Sequence, residues 1–114
     1  MGAECLFCRI IQGSVPSQKV HEDDMAVVFK DINPQAPTHL LVAPKKHIPS
    51  LSSASDEDKA LLGHLQCLAR DIAKRAGLDG GFRLVTNNGR GAGQSVDHLH
   101  YHLLGGRRLT WPPG

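Results

Sequence analysis

The stretch "DHLHYHLLGG", Asp97 to Gly106, sets His98, His100 and His102 at alternate positions, with Leu99, Tyr101 and Leu103 between them. Strict alternation is the period of a β-strand, so the three imidazoles are expected on one face and the apolar residues on the other. A face carrying three of the chain's seven histidines is a poor hydrophobic surface. It suits phosphate or metal.

Working outward from that strand, "GRGAGQS" leads directly into it, with glycines at 89, 91 and 93. Glycines open backbone geometries in which successive N–H groups form a concave anion nest. "FRLVTNN" before the loop reads as another strand. Ser55 and Asp58 form a capping-box-like helix start, followed by Leu61, Leu65, Leu68, Ile72 and Ala76 at helical spacing and Gly77 as a stop. "THLLVAPKKHI" is a strand ending near Pro44, and the prolines of "NPQAP" separate it from the preceding one. "KVHEDDMAVVFKDI" supplies two strands around an acidic turn at Glu22 to Asp24, and "CLFCRIIQG" is a short helix ending at Gly13. The expected class is α+β: a five-stranded antiparallel sheet with one main helix on one face and a short N-terminal helix. No repeat or linker divides residues 1–114, so one domain is expected.

At 114 residues and 40% hydrophobic content, one modest core is expected. A net charge of +2 and only five aromatic residues give no nucleic-acid-binding stripe. No apolar run reaches membrane-spanning length and "MGAECLFCRI" lacks a signal-peptide core, so a cytoplasmic protein without a membrane partner is expected. Three cysteines are too few for a disulfide framework. Cys67, inside the helical pattern, is expected as an inert core thiol. Cys5 and Cys8 form C-x-x-C, which in a reducing compartment signals redox or metal chemistry.

Three same-face positions of a strand span roughly 13 Å, too far to converge comfortably on one ion. The three histidines are therefore expected to divide their roles, with a merely solvated polar face as the plain alternative.

"GQSVDHLHYHLL" resembles the histidine-triad signature, and "DINPQAPTHLLVAPKKHI", "LLGHL" and "LGGRRLTWPPG" resemble the Hint branch of histidine-triad nucleotide hydrolases. The resemblance covers nearly the whole chain. It implies a homodimeric enzyme that cleaves purine nucleoside 5′-phosphoramidates, of the AMP-amine or AMP-lysine type, through a nucleotidyl-histidine. His100 matches the nucleophile, Ser95 and His102 the donors to the leaving nitrogen, and His39 a histidine behind the nucleophile that helps relay its proton. Asp31 matches the ribose-binding carboxylate, and Ile32 and Phe7 the residues around the base, although core packing would equally explain these two. Asn87, Gly93, Gln94 and Ser95 match phosphate-binding positions. Trp111 lies in a tail, residues 105–114, that in this branch reaches the partner's active site. Asp97 and Tyr101 depart from the best-known animal members, with Tyr101 expected to point away from the histidine face. In other branches, residues matching Cys5, Cys8, His47 and His98 hold a structural zinc. No catalytic metal is implied. A nucleotide-binding module that senses AMP is the main alternative, and a metal-dependent hydrolase is weakened by the lack of a carboxylate beside the histidines.

Overall fold

The computed structural model describes residues 5–114; the first four residues of the expected domain, part of "MGAECLFCRI", lie outside the described residues. The chain runs α1 (Leu6–Gln12), β1 (Lys19–Glu22), β2 (Ala26–Lys30), β3 (Thr38–Pro44), α2 (Lys59–Arg75), β4 (Phe82–Val85) and β5 (Tyr101–Gly105). The strands form one antiparallel sheet in the order β1-β2-β3-β5-β4. This is the architecture that the alternation and helical periods imply.

Helix α1 ends at Gly13 in the left-handed conformation, φ 85°, which a glycine adopts without a Cβ clash. The Ser55–Asp58 capping box forms as expected, but around a short 3-10 turn, Asp56–Asp58, from which α2 continues. Gly77 takes φ 75° just beyond α2. Among the described residues, no helix is long and apolar enough to cross a membrane.

Alternate residues send the two faces of the sheet to different partners. Val28 of β2, Leu40 and Val42 of β3, and Tyr101 and Leu103 of β5 pack with Leu65, Leu68, Ala69 and Ile72 of α2. Val27, Phe29, Leu41 and Ala43 pack on the other side with Phe7 and Ile10 of α1. By the same alternation, His39 and His102 belong to the α1 side. Tyr101, buried on the α2 side, points away from them as expected. Gly105 closes β5 beneath Leu78, where a Cβ would lie 2.7 Å from the leucine Cδ1.

Three expectations are corrected. The histidine strand begins only at Tyr101, because its earlier backbone groups bond elsewhere. The His98 carbonyl accepts the His100 ring at 2.6 Å, the His100 carbonyl accepts the Thr86 hydroxyl at 2.8 Å, and Leu99 N–H donates to the Ile48 carbonyl at 2.6 Å. Cys67 is exposed, since two residues beyond Leu65 is a rotation of about 200° around the helix, away from the sheet. Ala76 is likewise exposed, because α2 has ended one residue before it.

Candidate active site

Backbone partners assign the protons of three histidines, and one of these three, His39, assigns that of a fourth, His102. The Gln35 N–H donates to His39 Nδ1 at 3.0 Å, so neutral His39 carries its proton on Nε2. That proton is directed at His102: His39 Nε2 lies 2.9 Å from His102 Nδ1, and the Asp31 carboxylate stands nearby with Oδ2 at 3.3 Å. His102 therefore accepts through Nδ1 and carries its own proton on Nε2. His100 Nδ1 donates to the His98 carbonyl, which leaves the Nε2 lone pair of His100 free. His98 Nε2 donates to the Pro44 carbonyl at 2.8 Å, which leaves its Nδ1 without a proton and able to accept.

Burial keeps these rings neutral at physiological pH. It lowers the proton affinity of His39 against the opposing charge of Asp31. His100 is lowered by burial against its hydrogen bond to the His98 carbonyl and the Asp31 charge. His102 is pushed down to about 4, by burial first and then by His100 and His39. The His100 and His102 rings lie 5.1 Å apart, and Phe7 meets His100 edge-on at 4.8 Å. A neutral imidazole with a free nitrogen beside a second ring bearing an N–H is a nucleophile next to a hydrogen-bond donor.

Cys5, Cys8, His47 and His98 form a separate cluster whose ligand atoms all lie within 4.8 Å of one another. Cys5 Sγ is 3.4 Å and Cys8 Sγ 3.6 Å from His98 Nδ1; Cys8 Sγ is 3.3 Å and His98 Nδ1 3.2 Å from His47 Nδ1. A tetrahedral Cys2His2 ion with ordinary bond lengths requires edges of about 3.6 Å for S···N and ~3.3 Å for N···N. The cluster fits those edges, and the Pro44 carbonyl directs the bare nitrogen of His98 into it, as an outer partner of a metal ligand does. Burial first, and then Cys5, push the Cys8 thiol up to about 11, an arrangement that a cation would offset. The four residues can hold a metal ion.

Asp31, His39 and His102 also lie within 4.8 Å of one another. There the Gln35 N–H holds the His39 proton on Nε2, the atom a metal would need. That cluster is built for hydrogen bonds.

The other expected site residues occupy contrasting environments. Phe7 is 4% exposed and belongs to the α1-side core, whereas Ile32 is wholly exposed. Ile32 and Asp31 border an open cleft of about 550 Å³ with Pro16 and Gln18. His39 sits against His102 and Asp31. Ser95 and Gly93 are exposed and Asn87 is half-buried. Gln94 is buried and clamps the loop: its amide nitrogen donates to the Pro49 and Val96 carbonyls and its oxygen accepts the Gly89 N–H. Arg90 donates to the Gln94 carbonyl and pairs with Asp97 at 3.0 Å. Trp111 is 80% exposed, with the tail held by Arg83 on the Thr110 carbonyl at 2.8 Å. Thr86 and the Gln35 N–H were not expected. Neither has a signal in the sequence, since one is an ordinary strand-end threonine and the other a backbone group.

A family profile described as the C-terminal binding region of scavenger mRNA decapping enzyme matches residues 4–108. The chain is 52% identical over 114 residues to an uncharacterized HIT-like protein of Synechocystis sp., and 49% identical over 114 residues to another of Synechococcus elongatus, with 100% of each chain covered. Among solved structures it is similar to a HIT family hydrolase from Legionella pneumophila, with TM-score 0.96 and 51% identity over 97% of this chain and 100% of that one. A histidine triad protein from Clostridium difficile is also similar, with TM-score 0.91 and 46% identity over 94% of each chain.

Proposed function

The chain belongs to the histidine-triad family, and from that premise we propose that it is a hydrolase of purine nucleoside 5′-phosphoramidates, of the Hint type. The observation that carries this reading is the His100 ring: neutral, anchored through Nδ1 on the His98 carbonyl, with Nε2 free. That nitrogen attacks the α-phosphorus, a P–N(His100) bond forms and the bond to the amine breaks, the amine leaving with a proton on its nitrogen. Water then attacks phosphorus, releases AMP or GMP and restores the neutral ring. Splitting one displacement in two lowers each barrier.

His102, pushed down to about 4, holds too little charge near pH 7 to act as a standing acid. It serves as a neutral Nε2–H donor to the phosphoryl group. Ser95, exposed on the loop, conveys a solvent proton to the leaving nitrogen. Asp31 takes the ribose hydroxyls and Ile32 covers the base, while Phe7 supports His100 from the core. Gly93 and Asn87 border the phosphate, and Gln94 shapes that loop. The molecule works as a cytoplasmic homodimer in which Trp111 of each chain serves its partner's site. Zinc at Cys5, Cys8, His47 and His98 is structural, tying the chain's start to the residue beside the nucleophile.

The test is to mix the protein with adenosine 5′-tryptamine phosphoramidate, denature it at alkaline pH, where a nucleotidyl-histidine P–N bond survives, and map the adduct by mass spectrometry. Nucleotide on His100, and a His100→Ala protein that binds AMP yet turns over at least about a hundredfold more slowly, are expected. Retention of more than about a tenth of the rate would refute the nucleophile.

A further inference from the structure

We propose that Thr86 is a positioning residue for the nucleophile: its hydroxyl fixes the backbone of His100 to the root of the glycine loop, and so sets where the His100 ring stands relative to bound phosphate. This rests on the phosphoramidate-hydrolase reading and deepens it, because it adds a residue that controls the attacking step.

The antiparallel ladder between β4 and β5 ends at the pair Val85 and His102. Just beyond it a side chain takes over: the Thr86 Oγ1 hydroxyl donates to the His100 carbonyl at 2.8 Å. His100 is 7% exposed, so removing that hydroxyl withdraws a partner from a carbonyl on a buried residue. Thr86 is itself half-buried. Its β-branched side chain has few rotamers, which gives the hydroxyl a defined direction.

What the bond joins gives it its meaning. The chain passes from Thr86 straight into Asn87, Asn88 and Gly89, and returns through Gln94 and Ser95 to the histidines. Asn88 Oδ1 accepts the Ser52 N–H at 2.8 Å, and Gln94 Oε1 accepts the Gly89 N–H at 2.8 Å. The Gln94 amide nitrogen donates to the Pro49 and Val96 carbonyls at 2.8 and 3.0 Å. The loop is thus tied to itself and to the segment after β3, and the Thr86 bond ties its root to the nucleophile 14 residues away. The His98 carbonyl on Nδ1 and the edge-on Phe7 fix how the His100 ring turns. Thr86 fixes where its backbone stands. Attack on phosphorus is sensitive to that placement, since a shift of about 1 Å can cost on the order of a hundredfold in rate.

The experiment compares wild type with Thr86→Val, which keeps the branched shape and removes the hydroxyl, and Thr86→Ser, which keeps the hydroxyl and removes the methyl. Adenosine 5′-tryptamine phosphoramidate is mixed with excess folded enzyme, and the saturating rate of His100 nucleotidylation is read separately from AMP affinity. Thr86→Val is expected to slow nucleotidylation about 3- to 10-fold, the worth of roughly one hydrogen bond, with AMP affinity within about twofold of wild type. Thr86→Ser should hold the rate within about twofold of wild type. A Thr86→Val protein as fast as wild type overturns the proposal. So does the reverse order, Thr86→Val fast and Thr86→Ser slow, which would assign the effect to packing of the methyl. A loss of AMP affinity as large as the loss of rate also overturns it, by moving Thr86 from positioning to binding. Should Thr86→Val not fold, Thr86→Cys, a weak donor of similar size, takes its place under the same criteria. Wild type that forms no adduct and releases no amine overturns the phosphoramidase reading and the proposal with it, a result recognisable without any variant.

Discussion

Phe7 and Ile32 share one expected role, flanking a purine, and occupy opposite environments. Phe7 is 4% exposed and packs edge-on against Phe29 at 5.3 Å and His100 at 4.8 Å. Truncating such a ring, Phe7→Ala, costs about 3–5 kcal/mol, from lost transfer energy plus the cavity left behind. With an unfolding entropy of roughly 2.1 cal/mol/K per residue, a chain of this length has ~0.24 kcal/mol/K, so Tm should fall by about 12–20 °C. Ile32 is wholly exposed, and Ile32→Ala should move stability by no more than about 0.5 kcal/mol. If its side chain covers the base, the lost carbon groups weaken nucleotide binding by up to about 2 kcal/mol, roughly 30-fold. Scanning calorimetry and AMP titration of the two folded variants separate the roles. A Phe7→Ala protein whose Tm falls by less than ~4 °C while its AMP affinity drops as far as that of Ile32→Ala would refute the reasoning.

Cys8→Ser should abolish a metal content of about one ion per chain, measured by elemental analysis, and lower Tm more than it lowers the rate of the folded protein; metal-free wild type of unchanged stability would remove the staple. The depressed His102 ring gives a signed pH dependence. The unfolded chain takes up that proton near pH 6.5 and the folded chain only near 4, so stability is lost as pH falls through this window, by up to about 3 kcal/mol, and no further below it. Urea unfolding at a series of pH values should show a shallower loss in His102→Gln, and parallel curves would contradict the assignment. Deleting residues 111–114 should alter preference among leaving amines more than AMP affinity. An unchanged amine profile would take Trp111 out of the site.

Much of the fold is legible because side-chain pattern and backbone period coincide. The alternation in "THLLVAP" and "YHLLG" matches residues that pack on opposite faces of the sheet, and the Ser55 capping box and the stops at Gly13 and Gly77 form where the residue types require. The C-x-x-C is also found where His47 and His98 can complete a metal set. What stays hidden is carried by backbone atoms. The carbonyls of Pro44 and His98 and the N–H of Gln35 decide which imidazole nitrogens are bare, and no residue letter records them. For the same reason the start of β5 was not visible: His98 and His100 keep the alternating sequence while their carbonyls bond to side chains. Cys67 shows the complementary limit, since membership of a helix does not say which way a residue faces.

The stop at Gly105 bears on how the sheet assembles. β5 threads between β3 and β4 with Gly105 opposite both Thr38 and Phe82. If β5 slid along its neighbours by one residue, Leu104 would enter the space beneath Leu78, where even a single Cβ lies 2.7 Å from the leucine methyl. The same slip would drive the His102 imidazole among the leucines beside α2 and turn Leu103 toward α1. Both errors penalise the misaligned hairpin before any chemistry is tested. A nascent chain is thereby given a built-in ruler, one glycine long, that rejects the near-miss pairings to which a repetitive strand is prone.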